Sequence, residues 1–542
     1  MKSYEKWLKG KPELDILYLM GIFDRPADEE ALKVLRKKPV IPGLTDNICK
    51  LDNIKWRYAV KHLCDLRLLD QEDVNYPGTL DCHPLVREHF GAVLKANKPS
   101  AWKEAHRRLY FHFRTIAKEL PDTLAELEPL YRAVAHGCKA ERYHEVMDEV
   151  YWKRINRGQD AYAAHQLGAY GANLAALSGF FETFWIQPVI AVTDKYYTTV
   201  IRCAGFLLRG LGCLREAREP MRISLETHEN MSDWWNAAVS AGNLSDTSLT
   251  LGEITPAMDY ARRGIVFADR SGNVIQQSTR ITDLADAFHQ AGEQSEAERL
   301  FKEAEELQKK YQPEYQFLYS IPGYRYCDLL LSQGEFSQVI VRAEHTLEWA
   351  RERKLGLLAL ALDNLSLGRA ILAQTLNSAT VSEQLQNSAK LIIDYLNQAV
   401  QGLSESGNQD NLPLGLLARA EFYRVTHDFP AAWRDLFEAY EIAERGEMRL
   451  HLAGFHLEAA RLCHAVATAA EKGEHSAAIT DFLSALPKEF NAPIGQAPST
   501  IHPFALSCAR THLATAEQMV NDMGYGRRKP EIEALTEALT TK

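Results

Sequence analysis

The chain lacks every short signature that would give it chemistry of its own. No Gly-x-x-x-x-Gly-Lys-Ser/Thr occurs, so no glycine-rich loop can cradle a β-phosphate, and no Walker-type strand ends in acidic residues. No Gly-x-Ser-x-Gly elbow presents a nucleophile, and no His-Glu-x-x-His puts two ligands on one helix face. Cys463 and His464 are adjacent and so point in different directions on a helix, while His451 and His456, five apart, share a face poorly. The nine cysteines are scattered without a Cys-x-x-Cys. That argues against a zinc ribbon or a disulfide framework and fits a reducing, cytoplasmic setting. No uninterrupted apolar run approaches the ~18–20 residues that span a bilayer. The opening "MKSYEKWLKGKPELD" has no apolar signal core. A net charge of −10 argues against a chain devoted to nucleic acid. Catalysis, metal, cofactor and membrane are therefore not expected.

What the chain has is a long internal repeat. Gly212, Gly252, Gly292 and Gly334 are separated by 40, 40 and 42 residues. Eight and seven residues before each stand Ala204-Gly205, Leu244-Ser245, Leu284-Ala285 and Tyr326-Cys327. Five residues after come Ala217, Ala257, Ala297 and Val339, and nine after come Met221, Ala261, Phe301 and Ala343. These offsets put small and apolar residues on one face of each of two consecutive helices, with a glycine able to take positive φ in the turn. One helical hairpin per period is an α-solenoid.

"LTLGEITPAMDYARRGIVFADRSG" and "DAFHQAGEQSEAERLFKEAEEL" resemble tetratricopeptide repeats at their glycine, alanine and aromatic positions. The period exceeds the usual ~34 residues, which implies longer helices or connections. Gln294 departs from the pattern, standing where other units carry Leu214, Ile254 or Phe336. Further units follow at Leu367-Gly368, with the polar segment "NSATVSEQLQNS" expected to split its two helices, then around His427 and Gly473. "LPKEFNAPIGQAPSTIHP" reads as a loop before a last helix near Pro503. Residues 1–97 read differently: three helices, the second capped by Asp28, then a turn at Asn75, Pro77 and Gly78 and a short strand over 79–82. That order is a winged helix. The expected organisation is all-α: a winged-helix domain over 1–97, a helical linker with an irregular repeat over 98–195, a tetratricopeptide solenoid over 196–446, and degenerate repeats with capping helices over 447–542.

The segments "LDILYLMGIFDRPAD", "GTLDCHPLVREHF", "LPLGLLARAEFYRVTHDFPAAWRDLFEAYEIAERGEMRLHLAGFHLEAARL" and "GYGRRKPE" resemble the carboxy-terminal half of bacterial STAND-class signalling NTPases, the class of NB-ARC and NACHT proteins. The resemblance implies a regulatory part whose repeats sense a ligand while the winged helix restrains a nucleotide domain, with an oligomer forming on activation. Cys82-His83-Pro84-Leu85 stands where NB-ARC proteins carry Met-His-Asp-Leu, whose histidine reaches the ADP phosphates. His83 matches, whereas Pro84 replaces the aspartate and Cys82 the methionine; the plainer reading is that His83 ends a strand and bonds locally. With no phosphate loop present, the NTPase domain is expected in cis, on a longer protein of which this chain is a piece, or in trans, as the partner of a stand-alone regulator. The first is preferred.

A protein or peptide ligand is expected in a groove along the first helices of successive repeats, lined by Asp246, Asp286, Arg325, Asp328 and Asn364. Simple solvation of a concave face is the alternative. The aromatic run at Phe180, Phe181, Phe184 and Trp185 reads as a plug on the open end of the first repeat, with a partner contact as the second reading. The runner-up function is a winged-helix transcription regulator with a tetratricopeptide sensing domain, using Lys55, Arg57, Lys61, His62 and Arg67 on its third helix. Asp52, Asp65 and Asp70 interrupt that basic face, so nucleic acid is not the expected partner.

Overall fold

The computed structural model describes residues 1–71, 75–189, 196–487, 492–493 and 495–540. Contacts divide the chain into two units, one of residues 1–162 and 175–181, the other of 163–174 and 182–542. The expected linker over 98–195 is thus shared between them.

The first unit opens with α1 (Lys2–Trp7), α2 (Pro12–Met20), α3 (Glu29–Arg36) and α4 (Asn53–Asp65). Asp28 caps α3 by accepting from Ala31 N–H at 2.7 Å, and Asp52 caps α4 through Lys55 N–H. Ala27 and Leu80 exchange both backbone hydrogen bonds across an antiparallel bridge, and Asp70 N–H donates to the Asp81 carbonyl. Helix, bridge and two helices are thus followed by a segment that returns to pair with Ala27 at Leu80. Part of the expected wing, residues 72–74, lies outside the described residues. After α5 (Pro84–Asn97) come α6 (Pro99–Ile116), α7 (Leu124–Lys139), α8 (Tyr143–Val146) and a π-helical stretch Met147–Ile155. Buried Arg154 on that stretch donates to the carbonyls of Arg114, Ala117, Lys118 and Glu119, satisfying the open end of α6.

The chain continues through α9 (Tyr162–His165), α10 (Tyr170–Leu177) and a two-stranded hairpin, β1 (Phe181–Thr183) with β2 (Gln187–Pro188). Helix pairs then succeed one another: α11 (Tyr197–Gly210) with α12 (Leu214–Asn230), α13 (Trp234–Thr250) with α14 (Ile254–Ser271), α15 (Val274–Ala291) with α16 (Gln294–Tyr311), and α17 (Ser320–Ser332) with α18 (Phe336–Arg353). These are followed by α19 (Leu357–Leu376) with α20 (Val381–Glu405), α21 (Leu412–Val425) with α22 (Phe429–Arg445), α23 (Arg449–Lys472) with α24 (Ser476–Ala485), and finally α25 (Pro498–Met523) with α26 (Lys529–Thr540). The second unit is a tetratricopeptide-like solenoid of stacked helix pairs.

Helices of 17 and 18 residues joined by short turns account for the 40-residue period. Gly212, Gly252, Gly292 and Gly334 all take positive φ, from 77° to 90°, and His427 takes the same place at 62°. The small positions are the contact surface: Ala204, Ala217, Ala257, Ala261, Ala285, Ala297, Val339 and Ala343 are fully buried. A Cβ on Gly205 would stand 2.7 Å from Met221 Cγ, so only glycine lets α11 lie this close to α12. Gln294 opens α16 on the surface, which removes any need for an apolar residue there.

Two boundaries differ from expectation. Only the first four residues of the polar segment 377–388 separate the two helices; α20 begins at Val381, because glutamate, glutamine and leucine favour helix and an exposed face tolerates them. The last long helix begins at Pro498, not near Pro503, since proline suits the first helical turn. Residues 488–491 and 494 of the expected loop lie outside the described residues. By length and composition α19 is apolar enough to cross a bilayer, contrary to the reading from uninterrupted runs; 61% of that window is buried, and the helix packs against α18 and α20 as a core helix does.

Candidate functional site: the inner face of the repeats

Six residues before the turn residue, the first helices of four pairs carry an acid: Asp246 on α13, Asp286 on α15, Asp328 on α17 and Glu421 on α21. Their shared register turns all four toward one cavity of about 200 Å³ inside the second unit. Residues from α11, α13, α15, α17, α19, α21 and α23 line it, together with Tyr525, Arg527 and Arg528. The turn between α25 and α26 therefore forms one wall of the cavity.

Guanidinium groups answer the acids. Arg325 on α17 reaches Asp246 at 2.5 Å, Asp283 at 2.6 Å and Asp286 at 3.2 Å, so one side chain ties three first helices together. Arg209 on α11 reaches Asp246 at 3.2 Å and Asp410, in the turn before α21, at 3.2 Å. Asp328 holds Arg369 at 2.8 Å and takes a two-pronged contact from Arg527, 199 residues away. A second network joins Arg424 and Arg461 to Glu458, and Arg461 and Arg528 to Glu531.

Burial pushes all these carboxyls up, and the partners decide the outcome. At Asp328 the nearby Arg527 and Arg369 outweigh burial and hold the acid well below the usual carboxylate range. At Asp246 Arg325 and Arg209 also outweigh burial and lower the acid. At Asp286 and Asp410 burial wins despite Arg325 and Arg209, and both are raised. Glu421 is raised by burial and by Glu458, against the opposing charges of Arg424, at 3.5 Å, Arg461 and Arg369. It keeps 39% of its side chain accessible, facing the cavity. A half-buried carboxylate so placed is an acceptor for a cationic or hydrogen-bond-donating group.

Four of the five residues expected in the groove, Asp246, Asp286, Arg325 and Asp328, meet in this cavity, already bonded to one another or to arginines. Asn364 does not line it: it is buried in α19 and donates to its own helix at the Leu360 carbonyl. Arg209, Arg369, Asp410, Glu421 and Arg527 were not foreseen. Counting back six from His427 finds Glu421, whereas nothing local in the sequence points Arg527 to Asp328.

His83 lies in the first unit, on the surface, where its Nδ1 caps α5 by accepting from Leu85 N–H at 3.2 Å. The aromatic run divides. Phe180 is buried against Tyr143 and Tyr151 in the first unit; Trp185, at φ 66°, packs with the α11–α12 and α13 core of the second, and Phe184 stacks on it with 63% exposure. Trp185 thus covers the first repeat. Among the described residues no group of three His, Cys, Asp or Glu side chains is placed to hold a metal ion.

No protein-family model matches the chain, and no curated protein sequence matches it. Two solved structures are similar to the chain. A signal transduction ATPase with numerous domains (STAND) protein with a tetratricopeptide repeat sensor, from Pyrococcus horikoshii, is 15% identical over 90% of this chain, with a TM-score of 0.38; the chain spans 64% of that protein's length. A Rap protein complexed with competence and sporulation factor is 12% identical over 81% of this chain and 97% of its own, also with a TM-score of 0.38.

Proposed function

We propose that the chain is a non-catalytic regulatory module that takes a protein or peptide ligand on the inner face of its repeats and controls a STAND-type NTPase switch, the NTPase domain being supplied in cis or in trans. The observation that carries the reading is the cavity at the centre of the repeat stack, where seven first helices converge and Glu421 presents an under-paired acceptor. A stack stabilised only by its own contacts has no need of a polar hollow, since enclosed charge costs stability unless it is paired. The winged-helix unit supports the switch: α4 exposes Ile54 (69%) and Tyr58 (70%) one turn apart, an apolar pair suited to covering by another domain. His83 on the surface at the start of α5 is open to a nucleotide held by such a domain.

Selection of a random-peptide display library against the full chain tests the ligand half. Enriched peptides are expected to lose binding to Glu421→Lys while its circular dichroism is unchanged; equal binding to both proteins removes the inner face from the account. Phosphate release from ATP or GTP by the purified chain alone is expected to be nil, and turnover that tracks the protein peak through purification overturns the non-catalytic reading. The transcription-regulator alternative draws on the exposed Lys55, Arg57 and Lys61 of α4. It requires specific duplex DNA binding that weakens steeply with salt and is abolished by Lys61→Glu.

A further inference from the structure

The Gly526–Arg528 turn lies against the inner ends of the first helices as a ligand would. We infer that residues 525–528 are an internal occupant of the inner face, and that the partner this face takes from outside is a peptide presenting a glycine followed by arginine, which binds by replacing them. The second half rests on the ligand-binding reading above; the first half stands without it.

Three observations converge. Arg527 places both terminal nitrogens on the two oxygens of Asp328 and a further bond, at 3.2 Å, on the Gln290 side chain. Asp246 and Asp286, the equivalent acids of the two preceding repeats, are bridged by Arg325 from within the repeats. Asp328, besides Arg369 from α19, receives its two-pronged arginine from the turn of the last helix pair, so that one position of the column is filled by the C-terminal segment. The approach also demands glycine on both sides. A Cβ on Gly526 would collide with the Ala291 carbonyl, and one on Gly292 would stand 2.9 Å from the Gly526 carbonyl carbon. Gly292 is already the repeat glycine that ends α15 at φ 90°. A residue with a side chain ahead of the arginine cannot enter, which makes Gly-Arg the recognised pair. Finally, the occupant continues the cavity wall: Tyr525, Arg527 and Arg528 all line it, beside the under-paired Glu421. An incoming peptide with a second basic residue has that carboxylate within the same hollow.

The geometry makes the face self-competitive. A tethered segment acts at a high effective concentration, so an external peptide binds weakly until the segment is released. Release exposes Asp328, whose charge is held by Arg527 and Arg369, and the cost of leaving that acid short of a partner drives uptake of a replacement guanidinium.

The test uses the full chain and a labelled synthetic peptide with the sequence of residues 523–531, MGYGRRKPE. Arg527→Ala is expected to raise hydrogen exchange over 524–528 and to bind the peptide about tenfold or more tightly than the unsubstituted chain. Arg527→Lys, which keeps the charge but loses the two-pronged contact, is expected to fall between. A peptide carrying valine at the Gly526 position is expected not to bind either protein, and this control leaves the folded chain untouched. If Arg527→Ala and Arg527→Lys both leave exchange over 524–528 unchanged, the internal occupant is overturned. If exchange rises but the glycine and valine peptides bind alike, or neither binds, the Gly-Arg partner is overturned, while display-selected peptides that still depend on Glu421 leave the ligand-binding reading standing.

Discussion

Asp363 shows how far one enclosed side chain moves the energetics of this stack. It is 4% exposed on α19 and accepts a single hydrogen bond, from the Thr346 hydroxyl at 2.8 Å. Burial raises its pKa from 3.8 to about 7, with the Thr346 bond opposing. The folded-state value is above the unfolded one, so folding favours the neutral acid. The cost of ionising it therefore builds as pH rises from about 4 to about 7 and stays constant above. Asp363→Asn keeps an acceptor for Thr346 and removes that cost. It is expected to be more stable than the unsubstituted chain at pH 8 by up to about 4 kcal/mol, and equal to it near pH 4. Urea denaturation at both pH values checks this, and a variant less stable at pH 8 contradicts it. The same scale explains which site residues could be read from the sequence. Asp246, Asp286 and Asp328 stand at one offset from three glycines, so their common face was legible. Glu421 shares the offset, counted from His427 in the glycine position, so it too stood within reach of the sequence. Asn364 is polar and sits near the small positions of its first helix, but an amide can as well bond its own helix as face a cavity.

At the scale of elements, the repeat is held by two kinds of contact. Small residues let each pair close tightly, and arginines on the inner side tie neighbouring pairs together. Arg325 is the clearest tie, since it answers acids on α13 and α15 from α17. Removing one member of a buried charge network strands the others and costs about 3–5 kcal/mol. Arg325→Ala leaves Asp246, Asp283 and Asp286 without their shared partner, and Arg209 and Arg280 answer only the first two. It is expected to lower the urea midpoint by an amount in that range, whereas Arg299→Ala, on the outer face of α16 with partners only on its own helix, is expected to leave it nearly unchanged. Equal effects would show the inner network to be no more than a solvated surface. Pair identity and turn positions were legible because they recur with a period. The extent of α20 and the start of α25 were not, because helix propensity and a proline in a first turn act locally and leave no periodic trace.

At the scale of the whole molecule, an amino-terminal helical unit and a repeat unit occupy one chain with no phosphate loop in its sequence. The C-terminal turn that forms one wall of the cavity was invisible to sequence reading, since Arg527 and Asp328 are 199 residues apart and no pattern links them. What the repeats accomplish depends on that face. The most direct test is hydrogen exchange of the full chain with and without a display-selected peptide. The account predicts new protection on the inner ends of the first helices, over 246–250, 286–290, 325–328 and 414–421, with the second helices α14, α16 and α18 unaffected. Protection confined to those second helices or to the first unit, with none on the first helices, would contradict it.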